Sequence, residues 1–105
     1  MKPGNDAKLL MKKTLRKGGN LDKNLYLCKV FRYDVKLESI YLVLENDELT
    51  ALSLDGIYEC RIHEAERDVF CTGRIRERYH SEAGKILKFE IENGFYKINL
   101  KSVDK

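Results

Sequence analysis

VFCTGRIRERYHSEAGKILKFEIENGFYKINLK, residues 69–101, is the stretch whose reading decides the fold. Val69, Cys71 and Ile75 alternate with Thr72, Arg74, Arg76 and Arg78; Leu87, Phe89 and Ile91 with Lys88, Glu90 and Glu92; Tyr96, Ile98 and Leu100 with Lys97, Asn99 and Lys101. A period of two marks strands buried on one face. Asn93-Gly94 separates the last two runs and is the pair that most readily takes the positive φ angles of a type I′ turn. The stretch therefore predicts a three-stranded antiparallel meander. Its closing hairpin sets Ile91 against Tyr96, Glu90 against Lys97 and Phe89 against Ile98, with Phe89, Ile91, Tyr96 and Ile98 directed inward.

Upstream, runs of β-branched, aromatic and leucine residues place strands at Leu25–Phe31 and Ser39–Glu45, and Gly56 admits the chain to a third at Ile57–His63, for six in all. Glu48–Ser53 fits either a helical turn through Leu49 and Leu52 or a strand end. Ahead of these, Asp6 is expected to cap a short helix over Ala7–Lys17, with Leu9, Leu10 and Leu15 as a partial apolar stripe and Gly18-Gly19 as its stop. Short strands with a turn signal every few residues favour a closed barrel, because closure removes exposed edges. The expectation is a mainly β fold: a six-stranded antiparallel small split barrel over residues 24–105, preceded by a basic arm, helix and hinge over residues 1–23.

A chain of 105 residues is expected to form one domain, since at this length it hides roughly 65% of its unfolded surface. Its apolar content is 43%, yet no run approaches the ~20 residues of a membrane span. Met1-Lys2-Pro3-Gly4 lacks the apolar core of a signal peptide, so a cytoplasmic location is expected. Cys28, Cys60 and Cys71 all lie in apolar strand-like runs and suit buried reduced thiols. The net charge of +3 is unevenly spread. Residues 1–23 hold seven Lys/Arg against two Asp, and the remainder thirteen against fifteen Asp/Glu. Such an arm serves either as a polyanion contact or as a solvated tail.

Arg74, Arg76 and Arg78 resemble a phosphate-binding row. Pairing core with core across a Ser81–Lys85 turn, however, sets Ile75 opposite Ile91, Glu77 opposite Phe89, Arg74 opposite Glu92, Arg76 opposite Glu90 and Arg78 opposite Lys88. Two of the arginines then belong to a cross-strand charge ladder, and Arg78 alone is left to meet an anion. Cys60, His63, Cys71 and His80 form a zinc-type set, but strand parity sends Cys60 and His63 to opposite faces, so no metal and no other cofactor is expected. No nucleophile, Walker or Rossmann pattern occurs, and the chain reads as a non-enzyme. Six tyrosines interleaved with basic residues leave a single-stranded nucleic-acid-binding small barrel as the alternative.

Ala51-Leu52-Ser53-Leu54-Asp55-Gly56, followed by a strand, resembles the second nucleotide-binding motif of PilZ-type domains: an Asp or Asn, a Ser two residues on, and a Gly three after that. Ser53 and Gly56 match; the leading acid is Ala51. The companion pair of arginines four apart has Lys12 and Arg16 as its counterpart. The strand order is also similar to the small split barrel that precedes the PilZ domain in flagellar brake proteins. The resemblance implies a non-enzymatic binding or regulatory module with a protein partner and degenerate or absent cyclic di-GMP binding. Lys12, Lys13, Arg16, Lys17 and Arg78 are then the expected anion contacts, with Ser53 and Gly56 as the motif matches.

Overall fold

The computed structural model describes residues 2–97. Six strands, β1 (Asp6–Thr14), β2 (Leu25–Asp34), β3 (Ser39–Leu44), β4 (Gly56–His63), β5 (Asp68–Ser81) and β6 (Gly84–Lys97), form a closed barrel. Around the wall the order is β1-β2-β3-β6-β5-β4, and every neighbouring pair is antiparallel. Among the described residues no helix is long and apolar enough to cross a membrane.

The expected N-terminal helix is not formed. Its residues are β1, in which Ala7, Leu9 and Met11 are buried while Asp6, Lys8 and Lys12 are exposed. Pairing decides the matter: β1 bonds to β2 on one side and to β4 on the other, so as a helix it would leave two strand edges open. Helix propensity amounts to tenths of a kcal/mol per residue, which ladder bonds to β2 over Asp6–Leu10 and to β4 over Ala7–Thr14 override. Residues 6–14 of the expected arm are therefore barrel wall.

Asn93-Gly94 is not a turn either. β6 runs through it without a positive φ at either residue. The irregularity is taken up as bulges: Phe70 faces Tyr96, Thr72 faces Asn93 and Gly73 faces Ile91, so β6 carries an extra residue in each interval. Bulges bend and twist a strand, which lets one 14-residue β6 pair with β3 over Lys85–Glu90 and with β5 along nearly its whole length. Phe89 accordingly faces Ile40 and Ile75, not Ile98. Ile98 and Leu100 lie outside the described residues.

The β5–β6 hairpin is tighter than expected, with Ser81 opposite Gly84 and φ of +125° at that glycine. The register moves with it. Ile75 meets Phe89, Arg74 meets Glu90, Glu77 meets Lys88 and Arg78 meets Leu87, with a shift between Ile75 and Glu77. One expected ion pair remains, Arg76 Nε to Glu90 Oε1 at 2.7 Å, half exposed. Arg76→Ala is expected to lower stability by less than ~1 kcal/mol in urea denaturation, as exposed pairs contribute little.

Inward-facing residues from all six strands form one core, among them Leu9, Tyr26, Leu42, Tyr58, Cys60, Cys71, Leu87 and Phe89. A 3-10 turn, Leu49–Ala51, resolves the ambiguous segment in favour of its helical reading. Leu49 and Leu52 from this turn are buried in the same core and close one end of the barrel.

Candidate anion-binding site

Three of the seven sequence-derived candidates, Arg16, Ser53 and Arg78, meet at the closed end. The chain leaving β1 crosses to the segment before β4, where Leu15 N donates to the Asp55 carbonyl at 2.7 Å. Arg16 is thereby held beside residues 52–55. That segment is itself a fixed turn: Ser53 N donates to the Tyr58 hydroxyl and Ser53 Oγ accepts from Asp55 N, each at 2.9 Å. A serine hydroxyl taking the amide two residues on is a local turn device.

Two arginines of β5 reach the same turn. Arg78 Nη1 donates to the Leu52 carbonyl, and Arg74 Nη2 donates to the Leu54 carbonyl at 3.4 Å. Arg74 Nε is shielded from solvent with no hydrogen-bond partner. Arg16, Ser53 and Arg78, with Thr50, Leu54 and Asp55, line a shallow depression of about 320 Å³. Each guanidinium is permanently charged and carries five donors, so one bond to a carbonyl leaves others for an oxyanion.

Beneath the turn lies a polar layer. The Tyr26 hydroxyl donates to the Asp22 carboxylate, and the Ala51 carbonyl is 3.3 Å from the same oxygen. Burial, with Asp22 beside it, pushes Tyr26 up to about 12, and burial raises Tyr58 as well. Both phenols therefore stay protonated and hold the turn from below.

Not every expected contact joins this cluster. Lys12 and Lys13 are exposed on β1 about a register shift between Met11 and Lys13, and Lys17 is exposed in the following connection; none lines the depression. Gly56 is buried opposite Thr14, where a Cβ would stand 2.8 Å from Met11 Cε and 3.1 Å from the Tyr58 ring. Its glycine thus has a packing reason. Arg78 joins the site, but because it faces Leu87 and reaches Leu52, not because Lys88 repels it. Arg74 and Asp22 were missed. The register expected from the sequence puts Arg74 opposite Glu92, two residues from its partner Glu90, and a lone Asp in a polar loop carries no local signal.

A second cavity, about 280 Å³, opens on the outer wall between Asp6, Lys8, Arg61, His63 and Asp68. Its acids are matched: Lys29 Nζ lies 2.5 Å from Asp6, whose carboxyl it holds below the usual range, and His63 Nδ1 lies 2.8 Å from Asp68. His63 thus sits outside while Cys60 and Cys71 face each other inside the core. Comparison with family models, with curated proteins and with solved structures finds no match.

Proposed function

We propose that this chain is a non-enzymatic binding module of PilZ-like type that takes a small oxyanion at the closed end of its barrel. One observation carries the reading: Arg16, Ser53 and Arg78, far apart in sequence, line one depression. Support also comes from the site's place, since the motif-like turn 51–56 and the arginine following β1 meet there. The nucleic-acid alternative is weaker. Of the five tyrosines whose side chains are described, Tyr79 alone is exposed, at 39%, and a stacking platform needs several open rings.

The full cyclic di-GMP grip is incomplete. Ala51 stands at the acid position of the motif and Lys12 at one arginine position. Two lost contacts to charged groups, at roughly 1.5–3 kcal/mol each, amount to a factor on the order of 10² to 10⁴ in affinity. Calorimetry with cyclic di-GMP is expected to show no heat at micromolar nucleotide, beside a single-stranded oligonucleotide that also gives none. Pyrophosphate, followed by amide shifts, is expected to bind weakly and to move Arg16, Ser53, Leu54 and Asp55. Arg16→Ala and Ser53→Ala should each remove those shifts. Shifts that appear elsewhere, or none at all, would overturn the site; tight cyclic di-GMP binding lost in Ser53→Ala would make the domain a nucleotide sensor.

A further inference from the structure

We infer that the connection between β1 and β2 is a docking surface for an anionic phospholipid bilayer. With the end of β1 and the first residue of β2 that flank it, this segment, residues 12–25, carries five cations, Lys12, Lys13, Arg16, Lys17 and Lys23, together with three leucines, one acid and no aromatic residue. The leucines are not hidden. Leu15, Leu21 and Leu25 are 44%, 45% and 51% exposed, and Leu54 of the adjoining turn is 37% exposed.

Their exposure is built in. Arg16 N donates to Thr14 Oγ1 and Gly19 N to the Arg16 carbonyl, which tightens the first half of the connection. In the second half Asp22 N donates to Met11 Sδ and Asn24 N to Asp22 Oδ1. Between these anchors Lys17 and Leu21 stand outward, and the only acid of the segment, Asp22, is engaged by the Tyr26 hydroxyl. The outward charge of residues 12–25 is consequently positive.

Cations interspersed with protruding leucines match a surface that is anionic at the headgroups and apolar just below them. A nucleic acid would satisfy the cations alone. Its bases stack on aromatic rings, and leucine offers them nothing comparable. The inference is separate from the oxyanion site except at Arg16 and Leu54, which are left intact in every variant below.

The full chain would be sedimented with vesicles of phosphatidylcholine containing phosphatidylglycerol, and with pure phosphatidylcholine. It is expected to pellet with the first, to remain free with the second, and to be released by salt. Each cation near such a surface contributes about a five-fold gain, so reversing Lys12, Lys13, Lys17 and Lys23 to Glu should abolish binding. Leu15→Ser with Leu21→Ser should weaken it by at least about ten-fold, because the insertion component is gone. Leu21→Trp places a single reporter in a chain that has no tryptophan. Its emission is expected to shift to the blue with the anionic vesicles only. Absence of sedimentation overturns the inference. So does an unshifted Leu21→Trp emission in a complex that a single-stranded oligonucleotide displaces, which would make the segment a general polyanion contact.

Discussion

Gly73→Ala is expected to cost the barrel about 3–5 kcal/mol, on the upper side of overpacking effects. An added Cβ would stand 2.0 Å from the Glu90 carbonyl oxygen, 2.9 Å from its carbon and 3.0 Å from the Ile91 Cα. All three are backbone atoms of β6, so no rotamer change relieves the clash. The glycine ends the second of the two bulges that bend β6 across β5, opposite Ile91 on one side and fully buried Tyr58 on the other. Absence of a side chain is thus what lets the two long strands approach here. Against a total stability of ~5–15 kcal/mol, the loss corresponds to a fall in Tm on the order of 15–30 °C. Gly94→Ala is the informative companion. No atom lies within 4 Å of a Cβ there and φ is not positive, so the change is expected to stay within about 0.5 kcal/mol. Were Asn93-Gly94 a type I′ turn, alanine would be forced to a positive φ and the cost would exceed ~1 kcal/mol. Thermal and urea melts of the two variants side by side therefore test the clash and the continuity of β6 together.

The same residues show how much of the fold a reader of the sequence could see. Strand-favouring residues in 25–31, 39–45 and 57–63 and alternation in 69–75 located four strands, although β3 is buried along nearly its whole length and shows no alternation. Barrel closure followed from the number of short strands. What misled was local chemistry that tertiary pairing overrode. Ala7-Lys8-Leu9-Leu10-Met11-Lys12-Lys13 consists of helix formers, and Leu10, only partly buried, breaks the alternation that would have marked a strand. Nothing within those residues records that β2 and β4 both lack a partner. Asn93-Gly94 is the strongest short hairpin signal in the chain, yet β5, 14 residues long, needs a partner of its own length. The site was legible as a set of residue types and not as a place. Arg16, Ser53 and Arg78 each carry a separate signal in the sequence, and only the Leu15–Asp55 contact and the reach of Arg78 to Leu52 bring them together. Arg74 shows the limit most plainly, since a two-residue change of register moved it from an ion pair to the Leu54 carbonyl.

Alkaline solution is expected to unfold this barrel, with stability constant from about pH 6 to 8 and falling from about pH 9, where unfolded thiols ionise. The cause is the thiols inside it. Burial pushes Cys28 from an ordinary value of 9.0 up to about 12. Cys60, with Cys71 facing it across β4 and β5 and no solvent contact, is also raised well above 9.0. Between these values the unfolded chain releases protons that the folded barrel keeps. The unfolded state thus binds fewer protons, and stability declines as pH rises. Cys28 gives a slope that approaches about 1.4 kcal/mol per pH unit once the unfolded thiol is ionised, and Cys60 steepens the decline in the same direction. Urea midpoints across this range are the measurement, and Cys28→Ala should shallow the slope even though the cavity lowers its midpoint at every pH. A midpoint that holds level through about pH 10 would mean that these thiols are open to water. A thiol reagent gives an independent reading. At pH 8 the folded Cys28 thiolate is scarcer by a factor on the order of 10³, so labelling should wait on unfolding and then proceed at all three cysteines. Rapid labelling of the native protein would place the thiols outside the core, and the closed barrel would have to be redrawn around them.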